Sequence, residues 1–155
     1  MDHRTARTEF KRGLTLLRDH RPEMALRHMR RALALEVDNP HYLSFFGVAI
    51  ALAEKKWATA ELYCRRALQM KRSNARFHVN LAEVYLGAGR RQDAVQTLRM
   101  GLACAKRRRL LVRAFSKLGV RQPLVLPFLN RNHFLNRYSG IARCWILALF
   151  PWGLS

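Results

Sequence analysis

Apolar residues recur at helical spacing through the first two thirds of the chain, in segments separated by short turns. In one segment Ala82 and Tyr85 precede a turn at Gly89, and Ala94 and Leu98 follow it. Such a pattern predicts two amphipathic helices joined by a tight turn, because glycine breaks the periodicity between them. Extended along the chain, the pattern predicts seven helices, at about 5–19, 22–36, 40–54, 57–71, 75–88, 91–106 and 107–118.

Small residues indicate that these helices belong to a repeat. Three sets of residues align with successive offsets of 34 or 35: Gly13, Ala25 and Ala32; Gly47, Ala60 and Ala67; Ala82, Ala94 and Gly101. All nine positions carry Gly or Ala, where ordinary frequencies would give about one or two. Because helices approach each other closely only where side chains are small, the nine positions predict the contacts between paired helices.

A repeat of paired helices near this length resembles the tetratricopeptide repeat (TPR), and the resemblance extends over roughly residues 6–108. It implies an all-α, TPR-like helical-hairpin solenoid of about three repeats. The expected organisation is an array with a capping helix over 1–119, followed by a C-terminal arm over 120–155. In the arm, Pro123 and Pro127 enforce an extended path before an apolar helix or tail. This ending is similar to that of small bacterial TPR proteins, a resemblance that implies no function.

The resemblance also implies a binding surface, since TPR arrays hold peptides or partner helices on the concave face of the first helices. The residues expected to line this groove are Phe10, Leu14, Leu17, Ser44, Val48, Ala51, Arg76, Val79, Asn80 and Glu83. Some TPR proteins clamp a chaperone's terminal carboxylate there, but Phe10, Leu14 and Phe45 stand where that clamp needs Lys or Asn. The expected guest is therefore an apolar peptide or helix of a partner protein, bound by a non-catalytic interaction adaptor.

Charge widens the choice of partner. The chain has 29 Lys and Arg against 10 Asp and Glu, a net charge of +19, and its last acid is Asp93. This charge favours acidic proteins, anionic membrane surfaces or nucleic acids as partners, unless it reflects composition alone. The candidate anion-binding residues are Arg30, Arg65 and Arg99, at equivalent positions of the second helices, and the run Lys106, Arg107, Arg108 and Arg109. Both groups also fit a solvated basic face, and no aromatic residues interleave with them as stacking platforms for bases.

The C-terminal tail, CWILALFPWGL at 144–154, is apolar and follows several arginines. Its 11 residues are too few to span a bilayer, which needs about 20. The tail instead fits a position in an anionic membrane interface, on a partner, or folded back on the array. The candidate contact residues are Trp145, Ile146, Leu149, Phe150 and Trp152. A peripheral membrane scaffold and a basic nucleic-acid-binding protein are thus the alternatives to the adaptor.

Catalytic and metal-binding patterns are missing from the sequence. The six histidines are scattered, and Cys64, Cys104 and Cys144 are spaced 40 residues apart without a CxxC motif. Paired carboxylates suited to acid–base catalysis are scarce, and Glu83 is the one acid on an expected inner face. We therefore expect no enzymatic activity, no cofactor, no metal and no small-molecule substrate. The polar N-terminal segment lacks the apolar core of a signal peptide, so we expect a cytoplasmic protein, peripheral at the inner membrane face if the tail binds lipid.

Overall fold

The protein is described by a computed structural model over residues 2–105 and 108–118, and this part of the chain consists of α-helices joined by short turns and loops. The helices are α1 (Asp2–Arg18), α2 (Pro22–Leu35), α3 (Pro40–Glu54), α4 (Trp57–Met70), α5 (Ala75–Gly87), α6 (Arg91–Cys104) and α7 (Arg109–Lys117). Every predicted helix is present with bounds that differ by a few residues, so the all-α prediction is confirmed. The arm predicted at 120–155 lies outside the described residues, and the boundary at 119 stays a prediction.

Side-chain caps start the first helices of the second and third hairpins. The side-chain oxygens of Asn39 and Asn74 accept hydrogen bonds from the backbone N–H groups of His41 and Arg76, each at 3.0 Å. These bonds satisfy amide groups that have no partner inside the helix. A proline opens both α2 and α3, where its missing N–H costs nothing. The repeat boundaries are therefore encoded locally.

The helices form two rows. In the first-helix row, α1, α3, α5 and α7 contact one another in succession. Each of α2, α4 and α6 contacts the two first-row helices beside it. Every helix of the described part thus packs on its near neighbours in sequence, which is the arrangement of a helical solenoid.

The small residues of the repeat lie at the close contacts of these rows, and all nine are buried. At Gly47 a Cβ atom would lie 2.7 Å from the carbonyl oxygen of Ala60 and 2.7 Å from Sγ of Cys64. At Gly13 its three nearest neighbours would all be atoms of the flexible Met29 side chain. The equivalent contacts thus differ in how much space they leave for a side chain.

One apolar core runs from α2 to α7 through the centre of the array. Its largest fully buried side chains include Met29, Leu98 and Leu111. Leu111 belongs to α7 and is in contact with this core, with Leu110, Ala114 and Phe115 packed beside it. The last described helix therefore covers the end of the array, where a solenoid would otherwise expose its apolar face.

An ion pair joins the two helices of the first hairpin. Nδ1 of His28 in α2 lies 2.7 Å from Oε2 of Glu9 in α1, and both side chains are mostly shielded from solvent. The hydrogen bond from His28 lowers the pKa of the Glu9 carboxyl against the opposing effect of desolvation, with help from the charges of His28, Arg31 and Arg12. The pair therefore stabilises the hairpin while the Glu9 carboxylate is ionised.

Candidate functional site in the first-helix row

The first-helix row carries all ten residues predicted to line the groove, and they differ in exposure. The half-buried residues are Phe10, Leu14 and Leu17; the buried residues are Ser44, Val48, Ala51, Val79 and Asn80; the exposed residues are Arg76 and Glu83. The accessible part of the predicted groove is therefore an apolar strip on α1 and two charged residues on α5. We call Phe10, Leu14 and Leu17 the α1 strip; their spacing of four and three residues puts them on one helix face.

Aromatic contacts fix one end of the α1 strip. The Phe10 ring centroid lies 4.6 Å from that of Tyr42 and 5.5 Å from that of Phe45, the latter in an edge-on arrangement. These contacts join α1 to α3, and such ring pairs add about 0.5–1.5 kcal/mol beyond the area they bury. Phe10 thus supports the fold on one side and keeps partial exposure on the other.

A buried polar contact joins α3 to α5. Nδ2 of Asn80 donates a hydrogen bond of 2.9 Å to Oγ of Ser44, and both residues are almost fully buried. The Sγ of Cys64 adds a weaker contact of 3.4 Å to the Ser44 carbonyl oxygen. Sequence reasoning placed Ser44 and Asn80 at the groove surface but missed their contact with each other. The signal for it was two small polar residues, one position apart in repeat register, on successive first helices.

The α5 end of the row is polar. Glu83 is exposed, yet the protein surface around it desolvates its carboxyl and raises its pKa, against the opposing charges of Arg76 and Lys117. No ion pair to Glu83 occurs among the described residues. Because Lys117 lies on α7, charges from two first-row helices act on this carboxyl. The row thus changes from apolar on α1 to charged on α5 and α7.

The three arginines at equivalent positions of the second helices have different surroundings. Nη2 of Arg65 donates to the Tyr85 hydroxyl at 2.9 Å and pairs with Oε1 of Glu61 at 2.8 Å. Arg30 has a looser pair of 3.6 Å with a carboxylate of α3. Arg99 is exposed beside other polar residues of α6. Repeat register therefore brings these arginines to equivalent places but not to one common surface chemistry, and anion binding by them stays a prediction.

The basic run is described in part. Arg108 and Arg109 are exposed at the start of α7, whereas Lys106 and Arg107 lie outside the described residues. The tail candidates also lie outside them: Trp145, Ile146, Leu149, Phe150 and Trp152. Within the part of the chain that the structure describes, no helix is long and apolar enough to cross a membrane. The same residues contain no group of three or more His, Cys, Asp or Glu side chains suited to hold a metal ion.

Comparison with known proteins agrees with this architecture. The tetratricopeptide repeat family model matches residues 51–114, which span α4 to α6 and parts of the neighbouring helices. The second TPR domain of human RPAP3, determined by NMR in complex with the HSP70 peptide SGPTIEEVD, is similar with a TM-score of 0.61 at 20% identity. That match covers 78% of this chain and all of the domain.

The Arabidopsis OM64 TPR domain is similar with a TM-score of 0.63 at 16% identity, over 77% of this chain and 98% of the domain. No curated protein matches the sequence. At these identities the solved structures establish the fold alone. Together with the family match over residues 51–114, they confirm the fold predicted from the repeated small residues: the described helices form a TPR-like helical-hairpin solenoid.

Proposed function

We propose that this chain is a non-catalytic adaptor that binds an apolar peptide or helix of a partner protein along the first-helix row. The observation that carries the proposal is the α1 strip, whose three apolar side chains stay partly exposed on one helix face. TPR domains are generally interaction modules, and the similar RPAP3 domain was determined with a bound peptide. An apolar helix or extended segment fits such a strip because its own side chains can complete the burial.

The energetics of the α1 strip suit a reversible contact. Less than half of each side chain of the strip is exposed, so covering it contributes about 0.5 kcal/mol, since full burial is worth about 1.5–3 kcal/mol. Leu14 and Leu17 already pack against the main core on one side, which holds them in place before a partner arrives. Side chains that are already ordered lose little conformational freedom on binding. The strip alone therefore supports a weak contact, and further contacts along the row would raise the affinity.

The residues of the row also argue against binding of a terminal carboxylate of the partner. Phe10, Leu14 and Phe45 occupy the positions at which clamp-type TPR domains carry Lys or Asn for a terminal carboxylate. Phe10 and Phe45 carry no hydrogen-bond donor for such a group, and their rings pack on each other. We therefore propose that this adaptor binds an internal apolar segment of its partner rather than a chain end.

Site-specific photocrosslinking in a native lysate tests the proposal. A photoreactive side chain at Leu14 should capture a partner, because this position lies in the α1 strip. The control is the same side chain at Leu62, which is 66% exposed on α4 in the second-helix row. A partner captured at Leu14 should then bind as a purified protein, and Leu17→Glu should weaken that binding. Capture of the same proteins with equal yield at both positions would contradict the proposal.

We propose that the adaptor works in the cytoplasm on an acidic partner, in keeping with the charge of +19. Membrane association would use the tail at 144–154, and nucleic-acid binding would use Arg30, Arg65 and Arg99 together with the basic run at 106–109. The tail, Lys106 and Arg107 lie outside the described part of the chain, and both alternatives stay predictions. Flotation of the full chain with anionic liposomes, compared with a truncation after Ala142, tests the first of them.

A further inference from the structure

A basic pocket lies where the first-helix row meets the loop between α4 and α5. Its volume is about 470 Å³. The residues that line it are His41, Lys71, Ser73, Asn74, Ala75, Arg76 and Leu110. Each of α3, α5 and α7 thus contributes at least one residue, and the loop supplies the others. The pocket is therefore a feature of the assembled row and not of a single helix.

The positive charges of the basic pocket are not neutralised from within. The lining contains two permanent cations and a histidine but no carboxylate. Five carboxylates form ion pairs with Lys or Arg elsewhere: Glu9, Asp38, Glu54, Glu61 and Asp93. Neither Lys71 nor Arg76 is in an ion pair within the described residues. Glu83 lies two turns after Arg76 on the same helix, and the charge of Arg76 acts on its carboxyl, but the two side chains form no ion pair.

The imidazole of His41 is held in place at the rim of the basic pocket. Its ring meets the buried Phe77 ring edge-on, with 5.0 Å between the centroids. Partial burial lowers the pKa of His41, and the nearby positive charge of Lys71 lowers it further. The histidine therefore already experiences the positive potential of the empty pocket. A bound anion would reverse that effect, which makes His41 a natural reporter of binding.

We propose that the basic pocket binds carboxylate side chains of the partner, so that the guest of this adaptor is an apolar segment flanked by acidic residues. Lys71 and Arg76 supply charge-assisted hydrogen bonds, and the Ser73 hydroxyl supplies a neutral one. Oδ1 of Asn74 already accepts a hydrogen bond from the backbone N–H of Arg76. The side chains of the pocket, and not the start of α5, therefore hold the anion. The proposal rests on the proposed function, because the pocket shares α3 and α5 with the surface assigned to the apolar guest.

An acidic protein segment fits the basic pocket better than a nucleic acid does. Single-stranded nucleic acids bind through aromatic platforms on which bases stack, together with cations along the backbone. The lining of the basic pocket includes no phenylalanine, tyrosine or tryptophan. Phe77 lies beneath His41 and is fully buried, so no base can reach its ring. The pocket thus offers positive charge but no aromatic ring on which a base could stack.

NMR on the full chain tests the proposal with a tetraglutamate peptide that has both ends blocked. Saturable shifts are expected at the His41 ring protons and at the backbone amides of Ser73 and Arg76, together with a raised pKa of His41. A blocked tetraglutamine peptide should produce none of these changes. Absence of saturable shifts with tetraglutamate would overturn the proposal.

Paired variants separate the basic pocket from the overall charge of the protein. Lys71→Gln with Arg76→Gln should weaken tetraglutamate binding about fivefold or more, because both charge-assisted contacts are lost. Arg4→Gln with Arg27→Gln removes the same charge at exposed positions of the first hairpin and should weaken binding less than twofold. Equal weakening by the two pairs would overturn the proposal. Tighter binding of tetrauridylate than of tetraglutamate, measured from shifts of the same signals, would also overturn it.

The two proposals fail separately. Photocrosslinking at Leu14 measures the α1 strip, whereas the tetraglutamate titration measures the basic pocket without an apolar guest. Leu17→Glu should weaken binding of the captured partner and leave the shifts caused by tetraglutamate unchanged. Loss of those shifts in Leu17→Glu, with the helical signal intact, would contradict an independent pocket.

Discussion

Gly47→Ala tests whether the spacing of α3 and α4 is set by a missing side chain. The added Cβ would lie 2.7 Å from the Ala60 carbonyl oxygen and 2.7 Å from the Cys64 sulfur, about 0.7 Å inside ordinary contact, which begins at 3.4 Å. A backbone carbonyl cannot rotate away, so the two helices would have to separate. Overpacking of this kind costs about 1–3 kcal/mol.

Helix propensity acts in the opposite direction, since alanine is favoured over glycine inside a helix by about 1 kcal/mol. The two contacts at Gly47 place its overpacking cost towards the upper end of the range. We therefore expect Gly47→Ala to lower the free energy of unfolding by about 1–2 kcal/mol. The corresponding fall in Tm is about 5 °C for an array of this size.

Gly13→Ala is the matched control, because Gly13 occupies the equivalent position of the first repeat. The three atoms nearest to its Cβ would belong to the Met29 side chain, the closest being the terminal methyl carbon at 2.8 Å. A methionine side chain adapts by changing rotamer, so the gain in helix propensity should roughly offset the cost. Urea unfolding followed by circular dichroism at 222 nm measures both variants. Equal stability of the two variants, or a less stable Gly13→Ala, would refute this account of the repeat.

Three further predictions concern single side chains. Tyr85→Phe removes a hydroxyl that donates to Glu61 at 2.9 Å, and should lower the free energy of unfolding by about 1 kcal/mol in the same urea assay. Because the folded pKa of Glu9 lies below its ordinary value of 4.5, its contribution to stability is present above that pH and is lost as the pH falls through the folded pKa. The Glu9→Gln variant should therefore have a lower free energy of unfolding than the parent protein near neutral pH. Its free energy of unfolding should also fall less steeply as the pH is lowered, and an unchanged fall would contradict this account. Burial raises the pKa of the Cys64 thiol while Cys104 is exposed, so a thiol reagent followed by peptide mass spectrometry should label Cys104 first and Cys64 only on unfolding.

The helices and their pairing followed from local signals in the sequence. Asn39 and Asn74 mark helix starts through their own side chains, and small residues such as Ala60 and Gly101 mark the contacts between helices. Both signals act within one turn or within one repeat. Seven helices and their order could therefore be predicted before any tertiary contact was known.

The chemistry of the surface could not be predicted in the same way. The exposure of Val48 and Asn80 depends on how closely α3 approaches α5, which the repeat pattern does not specify. The Arg65 contact with Tyr85 depends on the relative rotation of α4 and α5. Likewise, the basic pocket combines a loop with three first-row helices, and the position of Lys71 in the sequence gives no sign of its neighbours there.

The exclusively near-neighbour contacts of the two rows have a consequence for how the chain folds. Among the described helices, α1 contacts only α2 and α3, and each later helix adds contacts to those just before it. Low contact order of this kind favours rapid folding, because little loop-closure entropy is lost before contacts form. Residues up to Glu54 can complete every contact of the first hairpin while the rest of the chain is still being synthesised. The α1 strip can thus be assembled during synthesis before the basic pocket, because the α7 residue of that pocket, Leu110, is translated 56 positions after Glu54.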